Sequence, residues 1–212
     1  MASFIFEVLK SLRDEGQDLT SLSYILPSKR AGLFLKQELA KLLNRTVFAP
    51  EILTIESFVE ELSHLKAESN TELLFHLYSS YLSIEKSQSA ESFNDFLKWG
   101  QLLLQDFNEI DRYLIPNDKL FNYLSAIQEL NHWSKADEKT EIVSNYLLFW
   151  QSLPRLYSAF QERLLGLGVA YQGLIYKEAL ENLESYIQNT KRKNHVFIGF
   201  NALNKAEETI IQ

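Results

Sequence analysis

The sequence predicts an α/β fold in which a short parallel sheet carries a large all-helical insertion, and three observations lead there. A nearly all-apolar run at 22–26 passes through Pro27-Ser28 into a stretch with helical spacing. A second strand-then-helix pattern follows at 52–65. Between 66 and 190 apolar residues recur at three- and four-residue steps, before an apolar run at 195–200 restores the strand pattern.

Residues 3–15 predict an amphipathic helix with Phe4, Val8, Leu9 and Leu12 on one face and Gly16 at its end. The run 22–26 is apolar apart from Ser23, as a buried parallel strand would be. Pro27-Ser28 turns the chain into a helix over 29–43, with Leu33, Leu35, Leu39, Leu42 and Leu43 toward the sheet. Val47-Phe48 and 52–55 predict short strands separated by Pro50, and 56–65 a helix. Helices without an intervening strand are then expected over 71–84, 93–114, 119–133, 141–165 and 171–188, joined at 86–90 and 134–140 by short polar loops. The clearest is 93–114, where Phe93, Phe96, Leu97, Leu103, Leu104, Phe107, Ile110 and Leu114 mark one face and Pro116 closes it. The helix over 141–165 has to accommodate Pro154. A strand over 195–200 and a helix from near Asn204 complete the pattern. The expected organisation is therefore 1–65 as the first part of an α/β core, 66–193 as a helical insertion and 194–212 as the return to the core. Ile210 and Ile211 still require a partner surface, which reads as a segment of a longer protein.

Composition narrows the function. With 212 residues, 46% hydrophobic and 23% charged, the chain is globular and has room for one large domain or a domain with an insertion. No apolar run approaches the roughly 18 residues of a membrane span. The first residues mix acids and bases at helical spacing instead of forming a leader, so a cytoplasmic protein without membrane contact is expected. Cysteine is absent, which excludes disulfides, thiolate zinc sites and cysteine nucleophiles. The histidines at 64, 76, 132 and 195 have no metal-binding spacing. A net charge of −7 argues against general coating of nucleic acid but allows local basic patches.

Such a patch is Ser28-Lys29-Arg30, placed where a strand turns into a helix, the position at which α/β proteins contact phosphates. Read as a plain solvated helix start, the two bases would oppose the helix dipole at a cost of a few tenths of a kcal/mol. Two more segments follow in order: Thr54-Ile55-Glu56-Ser57-Phe58, and the run from His195 to Glu207 that contains Ile198-Gly199-Phe200-Asn201. Together the three resemble the first RecA-like domain of superfamily 1 helicases, most closely the helicase-like N-terminal part of AddB-type subunits of recombination helicase-nucleases. On that resemblance 26–32 corresponds to motif Ia, 54–58 to the T-x-x-S-F of motif Ib, and 197–207 to the strand and helix of motif II.

The resemblance implies a partial RecA-like (P-loop NTPase-like) sheet with a helical subdomain between motifs Ib and II. It implies DNA phosphate contacts, to a single strand or a duplex end, at Ser28, Lys29, Arg30, Thr54 and Ser57, although Ser57 could equally cap its helix. It further implies an AddA/UvrD-like helicase subunit as partner, and a PD-(D/E)XK nuclease elsewhere in the parent protein. ATP chemistry in such folds needs a Gly-rich loop with Lys and Ser/Thr, and an acidic pair ending the motif II strand. None of the seven glycines belongs to such a loop, and Ile198-Gly199-Phe200-Asn201 stands where active helicases have Asp-Glu. Gly199, Phe200, Leu203 and Glu207 instead resemble the G-F-x-x-[FL]-x-x-x-E of AddB-like subunits. The expectation is a non-catalytic, cofactor-free scaffold for double-strand-break processing. One alternative is a protein-interaction module working through its helical insertion; another is a nucleotide-binding enzyme whose phosphate site is completed from outside this segment.

Other groups have plainer readings. Lys191-Arg192-Lys193 reads as a solvated turn, with phosphate contact as the lesser alternative, and Asp106, Glu109 and Asp111 read as solvated acids on the polar face of their helix, with Asp106 and Glu109 together. Trp99, Trp133, Trp150, Tyr146, Tyr157, Tyr171 and Tyr176 lie among leucines and are expected in the core. Residues 170–174 loosely resemble the D-F-x-D-L helix of active helicases, without its acids.

Overall fold

The computed structural model describes residues 3–84, 91–133, 141–190 and 194–212. In chain order the elements are α1 (Phe4–Asp14), β1 (Ser23–Leu26), α2 (Lys29–Leu43), β2 (Glu51–Thr54), α3 (Ile55–Ser63), β3 (Lys66–Ala67), α4 (Asn70–Ile84), α5 (Phe93–Arg112), α6 (Asn117–Trp133), α7 (Glu141–Leu167), β4 (Val169–Ala170), α8 (Gln172–Asn189), β5 (His195–Phe197) and α9 (Lys205–Ile211). They form two compact units, Met1–His64 with Glu178–Gln212, and Leu65–Lys177.

The first unit is α/β. Its sheet has the order β2-β1-β5, and both pairings of β1 are parallel. All four residues of β1 are buried, as a central strand covered on both faces requires. Its polar member, Ser23, donates to the Glu51 carboxylate of β2 at 2.6 Å, in register with its partner. Leu9 of α1, Leu35 and Leu39 of α2, Tyr24 and Leu26 of β1 and Ile198 close into one core with Leu19 and Leu22. Tyr24 lies entirely within it and donates its hydroxyl to the Leu19 carbonyl at 3.0 Å. The C-terminal half of α8 belongs to this unit. Tyr186 meets Phe58 of α3 edge-on at 5.9 Å, and Leu183 and Ile187 share a hollow with Phe197 and Ile210. The division consequently falls within α8 and not at 193.

The second unit is helical except for β3 and β4, a parallel pair of two-residue strands in the stretch expected to contain none. Two residues are too few to show a period. Val47-Phe48 forms no strand, and Phe48 is 96% exposed. Pro50 has no N–H with which to extend the β2 ladder into that segment. Leu33 was expected to face the sheet but is 57% exposed, because α2 buries Gly32, Leu35 and Leu39 instead. Helix α5 ends at Arg112, not at 114: Leu114 adopts φ 52° and turns the chain before Pro116 is reached. Helix α7 runs through Pro154. Trp133 and Tyr146 have side chains outside the described residues, as do the loops at 86–90 and 134–140.

Asp111, read from sequence as a solvated acid, is 2% exposed. Its carboxylate accepts from the hydroxyls of Tyr157 and Tyr171 and from Gln161 Nε2 at 2.8 Å, and Lys177 Nζ lies 3.4 Å away. The acid is thus the joint of the helical unit, tying α5 to α7, α8 and the turn after β4. Burial, and then the Asp111 charge, hold both phenols well above the usual tyrosine range.

Two stability measurements follow from these cores. Asp111→Ala strands two hydroxyls and an ammonium, and in urea denaturation it should cost about 3 kcal/mol or more, whereas Lys177→Met, at the partly exposed end, should cost about 1 kcal/mol. Tyr24, buried in the first unit, has its phenol pushed up by burial to about 12 from 10.0. The unfolded chain therefore releases that proton first, so this contribution to stability is complete below pH 10 and falls between pH 10 and 12. Titration followed at the tyrosinate band should show Tyr24 ionising only as the unit unfolds; a Tyr24 signal at pH 10 in folded protein would contradict this.

Candidate nucleic-acid interface

The parallel register sets where the sequence islands end. Leu26 stands opposite Thr54, and Ile25 opposite Phe197, so β1 and β2 finish level and β5 one residue before them. The chain leaves them at Pro27, Ile55 and Ile198, and the Ile198 N–H extends the ladder to the Ile25 carbonyl at 3.0 Å. Residues distant in sequence thus meet at the C-terminal edge of one sheet. Because β1 is central, with its neighbours reached in opposite directions, the topological switch point of this sheet falls between the ends of β1 and β5.

Ser28 caps α2 by accepting the Ala31 N–H at 3.2 Å, which leaves its own proton free to donate outward. Lys29 and Arg30 are the first two residues of that helix, and its first turn has no acid. Thr54 caps α3 by accepting the Ser57 N–H at 3.2 Å, and its hydroxyl is 3.1 Å from Ser57 Oγ. The cap is therefore Thr54. Ser57, offered by sequence as a possible cap, is instead the capped donor.

Ser28, Lys29, Thr54 and Ser57 line a single cleft of about 300 Å³ together with Gly32, Leu33, Lys36, Ile52 and Leu53. Lys36 escaped the sequence reading. The signal was available, since 29, 32, 33 and 36 share one helical face. Gly32 forms the close approach of α2 to β2, where a Cβ would come within 3.1 Å of Ile52 Cγ2. Arg30 is exposed beside the cleft and does not line it. Among the described residues Lys29, Arg30 and Lys36 have no ion-pair partner. No acid lines the cleft, although Glu56 occupies the first turn of α3. Two cations, hydroxyls and two helix N-termini at one strand edge form an environment suited to an anion.

The motif II-like segment reaches the same edge. Ile198 is buried, and Gly199 has φ 83°, a left-handed turn that ends β5 at Phe197 and not at 200. Phe200 is half-buried and Asn201 exposed. Glu207 serves the N-terminus of its own helix. It is 8% exposed and closes a capping box with Asn204, each side chain accepting the other's backbone N–H, at 3.0 and 2.8 Å. Lys191-Arg192-Lys193 lies outside the described residues.

Among the described residues no group of three or more His, Asp or Glu side chains could hold a metal ion, and no helix is long and apolar enough to cross a membrane. No protein-family model matches the chain, and no curated protein matches it.

The capping assignment can be checked directly. Thr54→Ala should lower stability by about 1 kcal/mol and Ser57→Ala by only a few tenths, measured by chemical denaturation; the reverse ranking would return the cap to Ser57.

Proposed function

We propose that this chain is an ATPase-inactive, helicase-like domain of the AddB type with a partial RecA-like sheet, acting in the cytoplasm as a scaffold. It holds a DNA strand on its sheet edge and docks an active helicase subunit while broken DNA ends are processed. The observation that carries this reading is the cleft in which Lys29 and Lys36, unpaired among the described residues, stand beside Ser28, Thr54 and Ser57 at the ends of β1 and β2. A single strand running across that edge would place one phosphate at the α2 N-terminus and the next at the α3 N-terminus, with backbone N–H groups, hydroxyls and lysines as donors. The end of β5 supports the non-catalytic part of the reading. Gly199, Phe200 and Asn201 offer no carboxylate for a metal-bound nucleotide, and Glu207 is engaged in its capping box.

Fluorescence anisotropy with labelled oligothymidylate across a salt series tests the proposal. Wild type should bind with Kd in the range of about 10⁻⁴ to 10⁻⁶ M at physiological salt, and more tightly at low salt. Lys29→Ala with Lys36→Ala should weaken binding roughly tenfold and reduce the slope of log K against log salt by about 1.4, the share of two single-strand phosphate contacts. Adding Arg30→Ala should deepen the loss. Equal affinity and slope in mutant and wild type, or no wild-type binding at low salt, would remove the sheet edge from DNA contact.

A further inference from the structure

The helical unit carries a second hollow, of about 510 Å³, that the sheet edge does not use. Its walls are apolar: Trp99 and Phe107 of α5, Phe121 and Leu124 of α6, Trp150 and Leu153 of α7. The apolar surface does not stop at the rim, because Leu102 is 62% and Ile115 40% exposed, and both line the hollow. A pocket shaped for a small molecule would enclose such groups; an open apolar trough that spills over its edges fits a larger partner.

The charges along it are of one sign. Asp106 and Glu109, one turn apart on α5, are the ionisable groups lining the trough among the described residues, with no described Lys, Arg or His beside them in its lining. Glu109 has only a long contact to Arg112, at 3.9 Å. Asp106 has no hydrogen-bond or ion-pair partner among the described residues, and loss of water against the apolar wall raises its pKa. A carboxylate so placed is at a cost that an incoming cation removes. A second copy of this chain is a poor occupant, since it carries a net charge of −7 itself and an acidic trough selects a cationic partner.

We propose that this trough is the docking site for a basic amphipathic helix of a partner protein. Apolar side chains at i, i+3 or i+4, and i+7 of that helix seat against Trp99, Phe107, Phe121 and Leu153, and a lysine or arginine pairs with Asp106. The proposal stands whether or not the sheet edge holds DNA.

The test uses the full chain and a labelled synthetic Leu/Lys amphipathic helical peptide, with a twin in which every Lys is Glu. Leu102→Ser and Asp106→Asn alter exposed side chains, so far-UV circular dichroism and thermal transitions should match wild type. Each should weaken binding of the Lys peptide roughly tenfold, while Glu7→Gln, which removes the same charge from α1, leaves it unchanged and the Glu twin does not bind. Equal weakening by Glu7→Gln and Asp106→Asn would reduce the effect to overall charge. Unaltered binding by both trough variants would remove the site. A wild-type dimer in sedimentation velocity that Leu102→Ser dissolves would assign the surface to a second copy and overturn the proposal.

Discussion

The α/β unit depends on one constraint: β1 is paired on both edges and buried on both faces. With Tyr24, Ile25 and Leu26 at 0 to 1% exposure, and neighbours hydrogen-bonded on either side, a slip by one residue would exchange the side chains packed against the two faces and disturb two ladders together. The register is therefore fixed. Everything proposed for the sheet edge follows, because that register brings Ser28, Thr54 and Ile198 to one side of the sheet. Three of the four residues of β1 drive this by burial, at about 1.5–3 kcal/mol for a fully buried aliphatic side chain, and the fourth, Ser23, avoids a desolvation cost by bonding Glu51.

The helical unit solves a different problem with one buried charge. Helices that meet through apolar faces alone can slide, because such contacts are non-directional. A carboxylate with two phenols, an amide and an ammonium around it admits one arrangement. Asp111 thus adds directionality to a core of Phe107, Tyr157 and Phe160, whose ring pairs lie at 5.0 and 6.4 Å. On the same helix Asp106 lines the trough without a partner among the described residues. The two acids are five residues apart, and their environments separate a structural role from one available for binding.

Much of the architecture was legible. The β-to-α turn at Pro27-Ser28, the span of α2 and the succession of helices after residue 66 follow from periodicity and from Pro and Ser chemistry, which act within a few residues. The candidate residues Ser28, Lys29, Thr54 and Ser57 were legible as well, each beside a strand end. What could not be read arises from longer-range contacts. Leu33 looked like a core residue until Gly32 set the rotation of α2 against Ile52. Asp111 looked solvated because its partners lie 46 and 60 residues further on. The paired strands β3 and β4 are stabilised by each other across a hundred residues, and neither has a pattern of its own.

The sequence by itself determined the helices and the three strands of the first sheet, the absence of cysteine chemistry and of a phosphate-binding Gly-rich loop, and the three segments that end at strand-to-helix turns. These are properties of composition and of local conformation. Only the tertiary structure decided that those turns share one edge, that Lys36 joins them while Arg30 stands aside, and that Asp111 is enclosed by Tyr157, Tyr171 and Gln161. Such facts depend on strand order, helix rotation and hydrogen-bond partners, and they are fixed only when the chain closes on itself and buried polar groups must find donors and acceptors in space.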